Sequence, residues 1–198
     1  MEKLLKIPYA VFNDWHQLQL FLERRGNPRY ELVGDVKLRY QNDIFDLGNL
    51  VRVDGDLMLD YASIQSLGAL EYVGGALDLR RTTIKSLGNL KYVGDYLDLL
   101  YTPIQSLGNL VRVDGNFRLG GTSIQSLGNL QYVGGYLDLR KTPIQSLGNL
   151  KYVGGYLDLL YTPIKSLGNL EHVGKGIWSL RDHQIPKEQL TKFEVEYL

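Results

Sequence analysis

Residues 133–152 read VGGYLDLRKTPIQSLGNLKY, and the phrases of this stretch return at a constant step of 20 residues. Ser-Leu-Gly-Asn-Leu stands at 86–90, 106–110, 126–130, 146–150 and 166–170. A copy at 66–70 carries Ala69, and 46–50 is a more distant copy. Val33, Val53, Val73, Val93, Val113, Val133, Val153 and Val173 fall on one column without insertion. A fixed short period of this kind is the signature of a repeat architecture.

Within the unit, Leu137 and Leu139 alternate with Tyr136, Asp138 and Arg140, the period-two pattern of a half-buried strand. Gly134-Gly135 is read as a tight turn into that strand that needs positive φ. Pro143 ends the strand. Ser146 stands where it would cap one short helical turn over 147–150. Val133, Leu137, Leu139, Ile144, Leu147 and Leu150 are apolar, and one 20-residue unit cannot bury them alone. Stacked units bury them in a continuous column.

Leu137-x-Leu139-x-x-Thr142-x-Ile144 resembles the L-x-L-x-x-N-x-L core of the leucine-rich repeat, with Thr where Asn is usual. The Val-Gly-Gly-x-Leu-x-Leu phrase is similar to the short, β-helix-like repeats of receptor L domains and of many bacterial and phage proteins. The resemblance implies a leucine-rich-repeat solenoid of about eight parallel strands, and a protein-binding role such as adaptor or stoichiometric inhibitor. Thr82, Thr102, Thr122, Thr142 and Thr162 would replace the usual Asn ladder. Asn49, Asn89, Asn109, Asn129, Asn149 and Asn169 form a second polar column, read as backbone hydrogen bonding inside the solenoid.

The ends differ from the repeat. Residues 1–32 are read as an N-terminal capping segment, 33–184 as the solenoid and 185–198 as a C-terminal capping helix, all one structural domain. Asp14 caps a predicted helix from Trp15 to about Arg25, with Leu18, Phe21 and Leu22 on one face. Leu190, Phe193 and Tyr197 follow Pro186 at helical spacing. The two helices are expected to cover the outer strands.

Strand phase points Asp78, Asp98, Arg118, Asp138 and Asp158 away from the core, flanked by Tyr96, Tyr136 and Tyr156 on one side and Arg80 and Arg140 on the other. Tyr101 and Tyr161 follow one position further on, beside Leu100 and Leu160. Stacked carboxylates repel, and Arg118 between the two Asp pairs should relieve part of that, with Arg80 and Arg140 relieving more. These charged and aromatic residues form the expected partner-binding face, because Tyr gives large contact area at low entropic cost. Exposed carboxylates imply a partner with a basic patch. Gly120 and Gly121 interrupt the face and would leave a flat centre for a protruding partner segment. A second column, Tyr72, Tyr92, Tyr132 and Tyr152 interrupted by Arg112, is read as a stacking ladder.

The 22 Lys and Arg balance 22 Asp and Glu, which argues against a field that draws in nucleic acid or anionic membrane. The chain has no Cys, so thiol catalysis and thiolate metal sites are excluded. His16, His172 and His183 form no metal-binding motif, and no phosphate-binding or EF-hand pattern occurs. No enzyme activity, metal or cofactor is expected. Residues 1–13 carry no apolar signal-peptide core, and no stretch reaches the ~20 apolar residues of a membrane helix. The expectation is a soluble, cytoplasmic, monomeric recognition module. A structural or surface component that self-assembles is the alternative. Ice binding is set aside because the flat face carries Asp, Arg and Tyr rather than rows of Thr.

Overall fold

The computed structural model describes residues 4–12, 14–180 and 184–197. His183, among the histidines considered above, lies outside the described residues.

Each unit makes one turn of a parallel-strand β-solenoid of about eight turns. Tyr132–Val133 pairs in register with Arg112–Val113 before it and Tyr152–Val153 after it. Leu137–Asp138 does the same with Phe117–Arg118 and with the strand Tyr156–Asp158. Repetition of these two pairings yields two nine-stranded parallel sheets. The first runs from Leu5–Pro8 to His172–Val173, and the second from Val36–Lys37 to Val195–Tyr197. A third side carries isolated parallel bridges, Asp46 with Ser66, Ser86 with Ser106 and Ser146 with Ser166. The Val column from Val53 onward therefore forms a sheet of its own, which two-residue strands are too short to announce by alternation. Val33 falls outside that column, because a register shift pairs Leu32 with Val53 and leaves Val33 exposed. Val133, Leu137, Leu139, Ile144, Leu147 and Leu150 point inward and are wholly buried, and the same six columns fill the interior along the axis.

Glycine acts here in two ways. Gly148 adopts φ +56° in the turn of the Ser-Leu-Gly-Asn-Leu phrase, and its N–H donates to Ser146 Oγ at 3.2 Å. Leu150 N–H bonds Leu147 C=O, so the predicted helical turn is a single hydrogen-bonded turn. Gly134, by contrast, has no positive φ. A Cβ there would lie 2.0 Å from Asp114 O of the coil before, so glycine answers to close backbone approach, not to the turn conformation expected; Asp54 and Asp114 hold the same column in their own coils. The Thr column works within each coil: Thr142 Oγ1 donates to Leu139 O at 2.7 Å, and Thr82, Thr102, Thr122 and Thr162 repeat the bond. The Asn column ties coil to coil, as in Asn149 Nδ2 to Gly128 O at 3.0 Å.

At the N-terminal end, helix Trp15–Glu23 is capped by Asp14, whose Oδ1 accepts from His16 N–H at 2.8 Å. Leu18 and Leu22 close the end of the core. Strand Leu5–Pro8 extends the first sheet beyond them. At the other end, among the described residues, only Lys187–Leu190 is helical, and Val195–Tyr197 joins the second sheet. The helical spacing of Phe193 and Tyr197 is thus overridden by strand pairing. Ile177 N–H bonds Glu194 O, so the added strand satisfies backbone groups that an edge would leave open. No helix among the described residues is long and apolar enough to cross a membrane.

Candidate functional site

The outer face of the second sheet holds the residues singled out above. Asp78, Asp98, Arg118, Asp138 and Asp158 occupy one column in parallel register, pointing away from the Leu core. The four carboxylates are nevertheless buried, at 2% exposure or less. This corrects the expectation of an exposed acidic column. For Asp78 and Asp138 the cause is the arginine two residues on, which lies on the same face and folds back over its own strand; Asp98 and Asp158, followed by Leu100 and Leu160, are covered from neighbouring coils. Arg140 grips Asp138 with two bonds, Nη2 to Oδ2 at 2.8 Å and Nε to Oδ1 at 2.9 Å. Arg80 grips Asp78 in the same way, with Nη2 to Oδ2 at 2.6 Å.

Each arginine also bridges to the next carboxylate. Arg140 Nε lies 3.2 Å from Asp158 and Arg80 Nε 3.7 Å from Asp98. Arg80 and Arg140 therefore carry most of the relief of stacked negative charge. Arg118, expected to serve both pairs, reaches Asp98 alone, at 3.4 Å. Burial raises the pKa of Asp98 and of Asp158. The backbone N–H groups of Leu100 and Leu160 and the adjacent guanidinium groups oppose that rise. The outermost charged groups of this face are the half-exposed Arg80, Arg118 and Arg140, with the carboxylates beneath.

The tyrosines complete the layer and define its one opening. Tyr96 leans back along the axis, its Oη 3.7 Å from Met58 Sδ. Tyr136 leans forward, its Oη donating to Asp158 Oδ2 at 2.9 Å. Tyr156 stacks on Trp178 at 4.5 Å. Between the diverging Tyr96 and Tyr136 the column holds the short Asn116, whose Oδ1 accepts from Tyr136 N–H. A recess of about 180 Å³ opens there, lined by Arg80, Tyr96, Leu97, Asp98, Asn116 and Arg118. It is below the ~300 Å³ of the smallest usual ligand pockets. Its scale suits a single side chain.

Tyr101 and Tyr161 are exposed by 71% and 62%. Leu100 is half-buried and Leu160 buried, so neither is the exposed apolar anchor expected. The two glycines of the interruption differ. A side chain at Gly120 would meet the Asp138 carboxylate at 2.9 Å, whereas one at Gly121 would meet nothing. The open centre is therefore at Gly121, not at both. Tyr40 and Tyr61 continue the line of Tyr101 and Tyr161 and stack on each other at 5.0 Å. Tyr40 escapes a sequence reading because one extra residue precedes Tyr61. On the first sheet the Tyr72 column is stacked: Tyr72 on Tyr92 and Tyr132 on Tyr152, both at 4.7 Å, with Arg112 over Tyr132 at 3.7 Å.

Among the described residues no group of three or more His, Asp or Glu is disposed to hold a metal ion. Comparison of the chain with protein-family models, curated proteins and solved structures gave no match.

Proposed function

We propose that the protein is a non-enzymatic recognition module that binds another protein through the outer face of the second sheet. What carries the reading is the coincidence of irregularities in one coil. Asn116, Arg118, Gly120 and Gly121 replace the Tyr, Asp, Arg and Lys of residues 136, 138, 140 and 141. Asn116 and Arg118 line a side-chain-sized recess in the charged layer, and Gly121 leaves open space at the adjoining corner. A purely scaffolding repeat gains nothing from such a break. The basic-partner expectation rested on exposed carboxylates. With these paired beneath three arginines, the groups on offer are guanidinium N–H donors and Tyr rings, which suit hydrogen-bond acceptors and aromatic groups on the partner.

In this reading the solenoid is of the leucine-rich-repeat kind, on the strength of the Leu137–Ile144 phrase, and acts as an adaptor or stoichiometric inhibitor of bacterial or phage type. Affinity capture from native lysate with mass spectrometry tests it. Asn116→Tyr restores the column residue and fills the recess while leaving the repeat intact. One protein captured by the wild type and lost by Asn116→Tyr is the expected result. Equal capture by both moves the site elsewhere, and concentration-dependent self-association without capture favours the assembly alternative.

A further inference from the structure

Seven residues form a ladder along the corner that follows the second sheet: Tyr40, Tyr61, Arg81, Tyr101, Gly121, Lys141 and Tyr161. All have left-handed backbone, with φ from 56° to 72°. That conformation costs a bulky L-residue ~1–2 kcal/mol and costs glycine almost nothing. The corner thus suits glycine in every coil, yet six of seven positions carry a large side chain. Strain of this kind, kept at exposed residues, points to use of the side chains.

The ladder is stacked along the axis. Tyr40 lies on Tyr61, and the Arg81 guanidinium sits between Tyr61 and Tyr101, at 5.5 and 4.5 Å from their centroids. Lys141 leans the other way, onto Tyr161 at 5.8 Å. Gly121 leaves one rung empty, and a Cβ there has open space around it. Neighbouring coils are ~4.8 Å apart, so Tyr101 and Lys141 are separated by two steps, ~9.6 Å. One planar ring fits that gap against Tyr101, and the flexible Lys141 stem would turn back from Tyr161 to meet its other face. The charge nearby is one-sided. The stretches 61–68, 81–88, 101–108, 121–128, 141–148 and 161–168 hold Arg81, Lys85, Lys141 and Lys165 and no carboxylate. Arg81 and Lys141 pair with no acidic group among the described residues.

We propose that the Gly121 gap receives an aromatic side chain carried on an acidic segment of the partner protein. The inference rests on the protein-recognition reading above and names the chemistry of the inserted group. A peptide is favoured over a single nucleic-acid strand because the chain is neutral overall and only one rung is open.

The test uses four fluorescein-labelled probes titrated against the full chain by anisotropy. They are a heptapeptide with Trp between two Glu-Asp-Glu runs, its Leu analogue, its analogue with Lys for every acid, and an oligothymidylate. The acidic Trp peptide should bind at least about tenfold tighter than the other three. Gly121→Tyr and Gly121→Lys, which place residues that Tyr101 and Lys141 already accommodate in the same backbone, should weaken it about tenfold. Lys151→Ala, an exposed change beside the first sheet, should leave it unchanged. Equal binding of the Leu peptide, no effect of Gly121→Tyr, no binding of the acidic Trp peptide, or preference for oligothymidylate overturns the proposal. If Asn116→Tyr abolishes capture of the natural partner while Gly121→Tyr changes nothing, the inference fails and the recognition reading stands.

Discussion

Arg118 occupies the place that Asp98 and Asp138 hold in the coils on either side, and it reaches back to Asp98 across one coil, Nη1 to Oδ2 at 3.4 Å. This is a long contact for a charge-assisted bond, which forms best at ~2.7–2.9 Å. The neighbouring Asp78 and Asp138 each have a bidentate arginine of their own, and Asp98 does not. Leu100 stands where Arg80 and Arg140 do, so Asp98 is the least tightly held of the four carboxylates, and it shares the wall of the recess with the half-exposed Arg118 guanidinium.

That difference has a pH signature. Burial lifts the Asp98 and Asp158 carboxyls above their ordinary range, so the folded chain holds these protons to higher pH than the unfolded chain. Their contribution to stability is greatest below the unfolded pKa near ~4 and is lost as pH rises through the raised folded value. Asp98→Asn with Asp158→Asn removes the slope. Urea unfolding at about pH 4.5 and about pH 7 should show the variant gaining on the wild type at the higher pH. A stability difference that is constant, or that favours the variant more in acid, contradicts the assignment.

The corner ladder makes a claim about strain. Lys141 holds φ 56° at an exposed position. Relief of ~1–2 kcal/mol exceeds the ~0.5–1 kcal/mol entropic cost of glycine. Lys141→Gly should therefore stabilise the fold by about 0.5–1 kcal/mol in denaturant titrations. A loss of stability would show that the cation on Tyr161 outweighs the backbone.

The two roles of glycine separate under one substitution. Gly148→Asn keeps a residue that tolerates left-handed backbone in open space and should cost under ~1 kcal/mol. Gly134→Asn sets a Cβ against Asp114 O and should cost about 1–3 kcal/mol, a local shift of the kind that Asp54 and Asp114 require at the same column. Equal losses would mean that close coil packing is not what selects Gly134.

Much of this was legible in residues 133–152. The 20-residue step, the six apolar columns and the outward phase of Asp138 follow from period and alternation. The first sheet was hidden because Tyr132–Val133 is too short for a pattern to show. Burial of the Asp column was hidden because alternation tells which way a side chain leaves the backbone, not what folds over it afterwards. Arg140 returns to cover Asp138 from two residues away. The left-handed corner was hinted at by Gly121 alone, since Tyr101 and Lys141 occupy a conformation their types disfavour. The strand Val195–Tyr197 was masked by the spacing of Leu190, Phe193 and Tyr197, which serves a helix equally well.

Site-specific photocrosslinking tests the recognition surface most directly. p-Benzoylphenylalanine would replace Tyr101, beside the interruption, and in a second protein Lys151, an exposed residue at the start of the first-sheet strand. Each would be irradiated in native lysate. A single adduct at position 101, absent at 151 and abolished by Asn116→Tyr, is the predicted result. An adduct of equal yield at 151, or one at 101 that survives Asn116→Tyr, would contradict recognition through the break in the repeat.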